Sequence, residues 1–151
     1  MSLNAALRAY WDERGIANPS VATPEDIAAF EARHRVRLPP AIVDYFLVVN
    51  GTREGRWGME DEDLISFSHL DQVQSLRERY PDDPHPDAAM LFVVADHSID
   101  AWAWAVRLSA DAAAPTPVFI VAFTVQQIAA SFDEYVDGYM RREPSVIFPL
   151  A

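Results

Sequence analysis

Apolar residues recur at helical spacing near the start of the chain. One stripe, at positions i, i+4, i+7 and i+8, consists of Leu3, Leu7, Tyr10 and Trp11. This spacing is typical of an amphipathic helix that buries one face. We therefore expect a helix over residues 3–14, and Gly15 is expected to end it.

The segment 23–51 predicts two short helices. Thr23 is a good N-cap residue and Pro24 suits the first helical position, so the first helix is expected to begin there. Its apolar face would carry Ile27, Phe30 and His34. We interpret His34 as a partly buried residue of this helix.

A second helix of the segment is expected from about Pro40, because Pro39 disfavours helical backbone at Leu38. Its predicted stripe consists of Ile42, Phe46 and Val49. Asn50 and Gly51 would close it, since glycine adopts the left-handed backbone of a helix C-terminus at little cost.

Four later segments have the composition and patterning of β-strands: 64–67, 90–95, 101–108 and 118–123. Residues 101–108 alternate strictly, which places Trp102, Trp104 and Val106 on one face and alanines on the other. We expect the tryptophan face to belong to the core. An exposed aromatic platform for binding is the alternative.

Two more helices are predicted in the second half of the chain. Ser68 followed by Asp71, with apolar residues at helical spacing, predicts a helix over 68–80. Thr124 and Gln127 have the spacing of a capping box, which predicts a closing helix to about residue 142. The apolar tail, 144–151, is expected to pack as an additional edge segment.

This order of elements predicts an α+β fold. N-terminal helices and a C-terminal helix would pack on one face of a mostly antiparallel sheet of four to six strands. With 151 residues, we expect a single domain over 1–151. Cysteine and lysine are absent, which excludes disulfides, thiol catalysis and Schiff-base chemistry.

The formal net charge is −11 at pH 7. An acidic surface repels nucleic acid and anionic lipid and attracts basic partners, although solubility alone can explain it. No apolar run approaches the roughly 20 residues of a membrane-spanning helix. The start of the sequence has no basic segment followed by an apolar one. We therefore expect a cytoplasmic protein with no nucleic-acid or membrane partner.

Reactive motifs are sparse in this sequence. His85 and His97 each have aspartates nearby, but neither has the spacing of a known metal site, so loop and turn roles are the preferred interpretation. No nucleophile elbow and no glycine-rich phosphate loop occurs. The sequence therefore predicts no enzyme activity, no catalytic residues, no metal and no cofactor.

The loop after Gly51 offers the best candidates for partner binding, because loops lie at the surface. It combines large side chains with the acidic run of residues 60–63. An ordinary solvated loop is the alternative interpretation. The candidate partner-binding residues are Arg53, Arg56, Trp57, Glu60, Asp61, Glu62 and Asp63.

The helix pair resembles the SUKH superfamily, in the residues Phe30-Glu31, Leu38-Pro39, Phe46 and Asn50-Gly51. The order of the later elements is also similar to that family, which includes fungal cell-wall assembly regulators and many bacterial immunity proteins. Family members often have a glycine-rich turn between the central strands, whereas residues 96–100 here contain no glycine. If that turn matters to partner choice, the partner of this chain differs from the usual ones.

The resemblance implies a non-catalytic protein-binding domain. The leading interpretation of this chain is an immunity protein that covers the basic cleft of a cognate nuclease or deaminase toxin with an acidic surface. We expect it to be a monomer or a weak homodimer. A regulatory or scaffold module like the cell-wall regulators is the alternative. A small hydrolase or ligand-binding domain that uses the His85 or His97 loop is the third hypothesis.

Overall fold

The structure is a computed structural model, and it describes residues 1–16, 20–52, 60–98 and 100–149. The helices of the described residues are α1 (Leu3–Glu13), α2 (Pro24–His34), α3 (Pro40–Val48), α4 (Leu76–Arg79), α5 (Phe132–Met140) and α6 (Pro144–Ile147). The strands are β1 (Ile65–Phe67), β2 (Gln74–Ser75), β3 (Leu91–His97), β4 (Trp102–Arg107), β5 (Val118–Val121) and β6 (Val125–Ala129). The predicted α+β fold is confirmed.

All six described strands form one antiparallel sheet in the order β1-β3-β4-β5-β6, and β2 pairs with β3 beyond the end of β1. Sequential strands pair from β3 to β6, through short connections at 98–101 and 122–124 and a longer one at 108–117. Among the described residues, no helix combines the length and apolar character needed to cross a bilayer.

The first helices begin where their local signals predict. In α2, the Thr23 hydroxyl accepts from the amide of Asp26, and the Asp26 carboxylate accepts from the amide of Thr23, so two free helix-end donors are satisfied. The Glu31 carboxylate accepts a 2.7 Å bond from the amide of Leu38, which fixes the chain just before α3. These contacts set the angle between α2 and α3.

The larger core lies between the helices and one face of the sheet. Its largest fully buried side chains include Trp11, Phe46, Phe67, Trp104 and Tyr135. A smaller cluster covers part of the opposite face with Leu76, Leu91, Val93, Ala103 and Ala105. The two faces of β4 therefore lie as the alternation predicts. Trp104 is buried in the larger core, and the alanine face packs in the smaller cluster.

The prediction of one helix over 68–80 is wrong. The segment instead contains a 3₁₀ turn at Leu70–Gln72, the two-residue strand β2 and the short helix α4. Gln74 and Ser75 pair with Val93 and Phe92 of β3, and this pairing replaces the helical hydrogen bonds there. Ser75 then caps α4 by accepting from the amide of Glu78.

The closing helix begins later than the sequence predicts. Residues after Thr124 form β6, which pairs with β5, and α5 begins only after Ser131, whose hydroxyl accepts from the amide of Glu134. In the tail, which is expected from the sequence to pack as an additional edge segment, residues 144–147 form the helix α6. The carbonyl of Val146 in α6 accepts a 3.0 Å bond from the buried indole of Trp104.

Candidate functional site

Thr52 and Asp61, on either side of residues 53–59, are both hydrogen-bonded to strand β1. The amide of Thr52 donates to the carbonyl of Phe67, and the Thr52 hydroxyl accepts from the amide of Phe67, both at 2.9 Å. The amide of Asp61 donates to the carbonyl of Ile65 at 2.9 Å. Both residues are therefore anchored on a three-residue strand, close to each other.

Gly51 permits a close approach of the chain just before Thr52. Its φ is +76°, and a Cβ at this position would lie 2.5 Å from the carbonyl oxygen of Ser68. The residue before it, Asn50, is buried, and its side-chain oxygen accepts a 2.9 Å bond from the amide of Leu70. Asn50 and Gly51 therefore do more than end α3. Asn50 bonds the 3₁₀ turn, and Gly51 lets the chain pass close to the backbone at the end of β1.

Asp61 is a buried anchor of the acidic run. Its Oδ1 accepts from the amides of Asp63 and Ile65 at 2.8 and 2.9 Å, and its Oδ2 accepts from the hydroxyl of Tyr139 at 2.6 Å. The Tyr139 hydroxyl in turn accepts from the indole N–H of Trp11 at 3.1 Å. Burial, with the Asp61 charge as the next cause, raises the pKa of Tyr139 well above its ordinary value, so the phenol remains a donor.

Glu62 and Asp63 lie at the surface beside basic side chains. The guanidinium of Arg142 contacts the carboxylates of both residues, and Arg14 lies 3.9 Å from that of Glu62. The Glu62 side chain is 59 % exposed and that of Asp63 is 11 % exposed. The exposed ion pairs of Glu62 contribute about 0–1 kcal/mol each, so a basic partner can replace the arginines at this carboxylate at low cost.

The sequence-predicted site residues therefore fall into four groups. Glu60 and Asp63 are half-buried, Glu62 is exposed and Asp61 is buried. Arg53, Arg56 and Trp57 lie outside the described residues. Sequence reasoning missed the participation of Trp11, Tyr139 and Arg142, because they lie far from the acidic run in the sequence and only the tertiary fold brings them to it.

A groove of about 310 Å³ lies between α2, the end of α3 and the 3₁₀ turn. Apolar side chains form part of its wall, and its polar lining includes Asp26, Arg33, His34, His69 and Asp71. Its position next to Asn50 places it beside the start of the acidic loop.

His34 is enclosed on one side of that groove. Its ring lies 4.4 Å from the ring of Phe30 and 5.3 Å from that of Phe92, and its Nδ1 is 3.3 Å from a carboxylate oxygen of Glu78. Burial lowers the pKa of His34; Glu78 opposes this shift and Arg33 adds to it. The expectation of a partly buried helix residue is confirmed, since its side chain is 7 % exposed.

The two histidine loops are held by local contacts. The amide of Asp87 donates to Nδ1 of His85, and the amide of His85 donates to the Asp83 carboxylate, as in a tight polar turn. The His97 ring stacks on Trp102 with centroids 3.9 Å apart. Within the described ranges, no group of three or more His, Asp or Glu side chains is arranged to hold a metal ion.

Two comparisons with known proteins bear on this arrangement. Among curated proteins, none matches the chain. The model of the SMI1 / KNR4 family (SUKH-1) matches residues 21–138, a span that begins three residues before α2 and ends within α5. This span includes the helix pair, the whole described sheet and the acidic run. The chain therefore belongs to the SMI1 / KNR4 family (SUKH-1).

Proposed function

We propose that this chain is a bacterial immunity protein, which binds a cognate nuclease- or deaminase-type toxin and covers its basic substrate cleft. The family consists of immunity-like and regulatory domains that act through protein–protein interaction, which supports a binding role in general. A toxin that acts on nucleic acid needs a basic cleft to hold phosphates. An acidic protein with a net charge of −11 is attracted to that cleft.

The observation that carries the proposal is the way the acidic loop is held. Asp61 is fixed from inside by Tyr139, whereas the carboxylate of Glu62 faces solvent and that of Asp63 is half-buried, and Arg142 contacts both. Because Asp61 already holds the neighbouring carboxylates in place, less conformational entropy is lost when a partner binds them. We include Glu60, Arg53, Arg56 and Trp57 in the proposed contact surface because they belong to the same loop.

The test is a binding experiment with the products of the adjacent genes, each expressed with its catalytic residue replaced. We expect one basic product to bind this chain, with an association rate that falls steeply as NaCl rises from about 50 to about 500 mM. Co-expression should also restore growth of cells that produce the active form of that product. Capture of no adjacent-gene product would overturn the immunity role.

Paired variants locate the contact surface. Glu62→Gln with Asp63→Asn should slow association at least about threefold at low salt, because the local attraction is lost. Glu25→Gln with Asp111→Asn makes the same change in net charge at two other exposed positions, and this control should bind almost normally. Equal effects of the two pairs would show that total charge, and not the acidic loop, attracts the partner.

A further inference from the structure

Strand β6 is the outermost strand of the sheet, and one of its backbone edges is open. Its inner edge pairs with β5, where Gln127 is opposite Phe119 and Val125 is opposite Val121. Within the described part of the chain, no group is bonded to the outer edge of Val125–Ala129. A row of free backbone donors and acceptors is a template for another strand.

This edge has no charged residue to protect it. No Asp, Glu, Arg or Lys occurs between Asp111 and Asp133, although 23 % of the whole chain is charged. Monomeric proteins usually place charges or proline on an exposed edge strand, and β6 has neither. The ladder to β5 is irregular near Ile128, so the regular part of β6 is short and its pairing would be weak.

Apolar surface accompanies the open edge. Phe123, in the turn between β5 and β6, is fully exposed. Phe119 and Val125 are only partly buried against the smaller core cluster. An unburied phenylalanine beside an unpaired strand gives a partner both backbone hydrogen bonds and apolar contact area.

We propose that β6 pairs antiparallel with β6 of a second copy of this chain, about a two-fold axis near Gln126. Two copies with a charge of −11 repel each other, and an uncharged edge is the surface where they approach at the lowest electrostatic cost. A basic partner has no carboxylate to bind along this strand, so the edge does not suit the proposed toxin.

The antiparallel arrangement fits the side chains at both ends of β6. With the axis at Gln126, the exposed Phe123 of one copy lies beside Ala129 of the other, whose small side chain is buried in the larger core of its own copy. The carboxylate of Glu134 accepts from the amide of Ala130, which places a negative charge at one end of the strand. Antiparallel pairing keeps the two Glu134 residues more than about 20 Å apart, whereas parallel pairing would bring them together.

Sedimentation velocity of the full chain, from about 5 µM to about 1 mM, tests the proposal. We expect a monomer–dimer equilibrium that strengthens as NaCl increases, because salt screens the repulsion between acidic copies. Gln126→Glu and Gln127→Glu place like charges within about 8 Å of their symmetry copies, so each should weaken the dimer at least about tenfold. Gln72→Glu makes the same change at an exposed position outside β6 and should leave the dimer unchanged.

Hydrogen exchange identifies the surface independently. The amides of β6 should become more protected as protein concentration rises, while those of the exposed 3₁₀ turn should not. A monomer at every concentration would overturn the proposal. So would a dimer that Gln72→Glu weakens as much as the β6 variants do.

Discussion

The hydroxyl of Tyr139 in α5 donates a 2.6 Å hydrogen bond to the carboxylate of Asp61, which lies 78 positions earlier in the chain. The same hydroxyl accepts from the indole of Trp11 in α1. One phenolic oxygen therefore joins the first helix, the acidic loop and the last long helix, and the surface position of Glu62 and Asp63 depends on this buried contact.

Removal of the Tyr139 hydroxyl should lower the free energy of unfolding. Tyr139→Phe leaves a buried carboxylate oxygen without its donor and a buried indole without its acceptor, so we expect a loss of about 1–3 kcal/mol in the free energy of unfolding. Tyr45→Phe is the matched control, because Tyr45 is fully buried but its hydroxyl bonds to no described group. The control should be neutral or stabilising in urea unfolding, and equal losses would contradict the assigned role of Tyr139.

Gly15 and Gly51, which both have a positive φ, should respond differently to substitution by alanine. Gly51→Ala would place a Cβ 2.5 Å from a backbone oxygen, in addition to the left-handed strain, and should cost at least about 3 kcal/mol. Gly15 has a φ of +67°, and a Cβ added there would meet nothing within 4 Å, so Gly15→Ala should cost only about 1–2 kcal/mol. Thermal unfolding of both variants checks this order, which a similar cost for the two would refute.

The start of α5 can be tested through its cap. Ser131→Ala removes the acceptor for the amide of Glu134 and should cost about 1 kcal/mol. Thr124→Ala should change stability by less than about 0.5 kcal/mol, because Thr124 is an exposed turn residue between β5 and β6. A larger loss at Thr124 than at Ser131 would favour the longer helix that the sequence pattern predicts.

Acid should destabilise the protein partly through His34. Its pKa in the folded state is below the ordinary value of 6.5, so the unfolded chain binds the proton more readily and the free energy of unfolding falls as pH falls through 6.5. His34→Gln removes this contribution. Urea unfolding between about pH 5 and pH 7 should therefore show a flatter dependence for the variant than for the wild type. Parallel curves would mean that burial does not perturb His34.

Local signals were sufficient for the first half of the fold. Thr23, Pro24 and Pro39 act on their immediate neighbours, and the structure places α2 and α3 where those residues predict them. The sequence-based predictions are wrong where pairing with a strand from another part of the sequence determines the secondary structure. Thr124 and Gln127 satisfy a capping box, yet β6 forms because β5 lies beside it, and helical spacing over 68–80 does not reveal the pairing of Gln74 with Val93.

The candidate site was predictable only in part, for the same reason. The acidic run is visible in the sequence, but nothing local separates Asp61 from Glu62, although one is buried and the other is exposed. The distinction depends on Tyr139 and Arg142, which tertiary packing brings from the far end of the chain.

The contact between Trp11 and Tyr139 also affects the order of folding during synthesis. These residues are 128 positions apart, so α1 cannot reach its buried partner during synthesis until α5 has left the ribosome. Contacts of such long sequence separation slow folding, because the chain between them must be ordered first. Until α5 has emerged, the apolar stripe of α1 lacks its partner and is available to chaperones, and the acidic loop lacks the support of Tyr139.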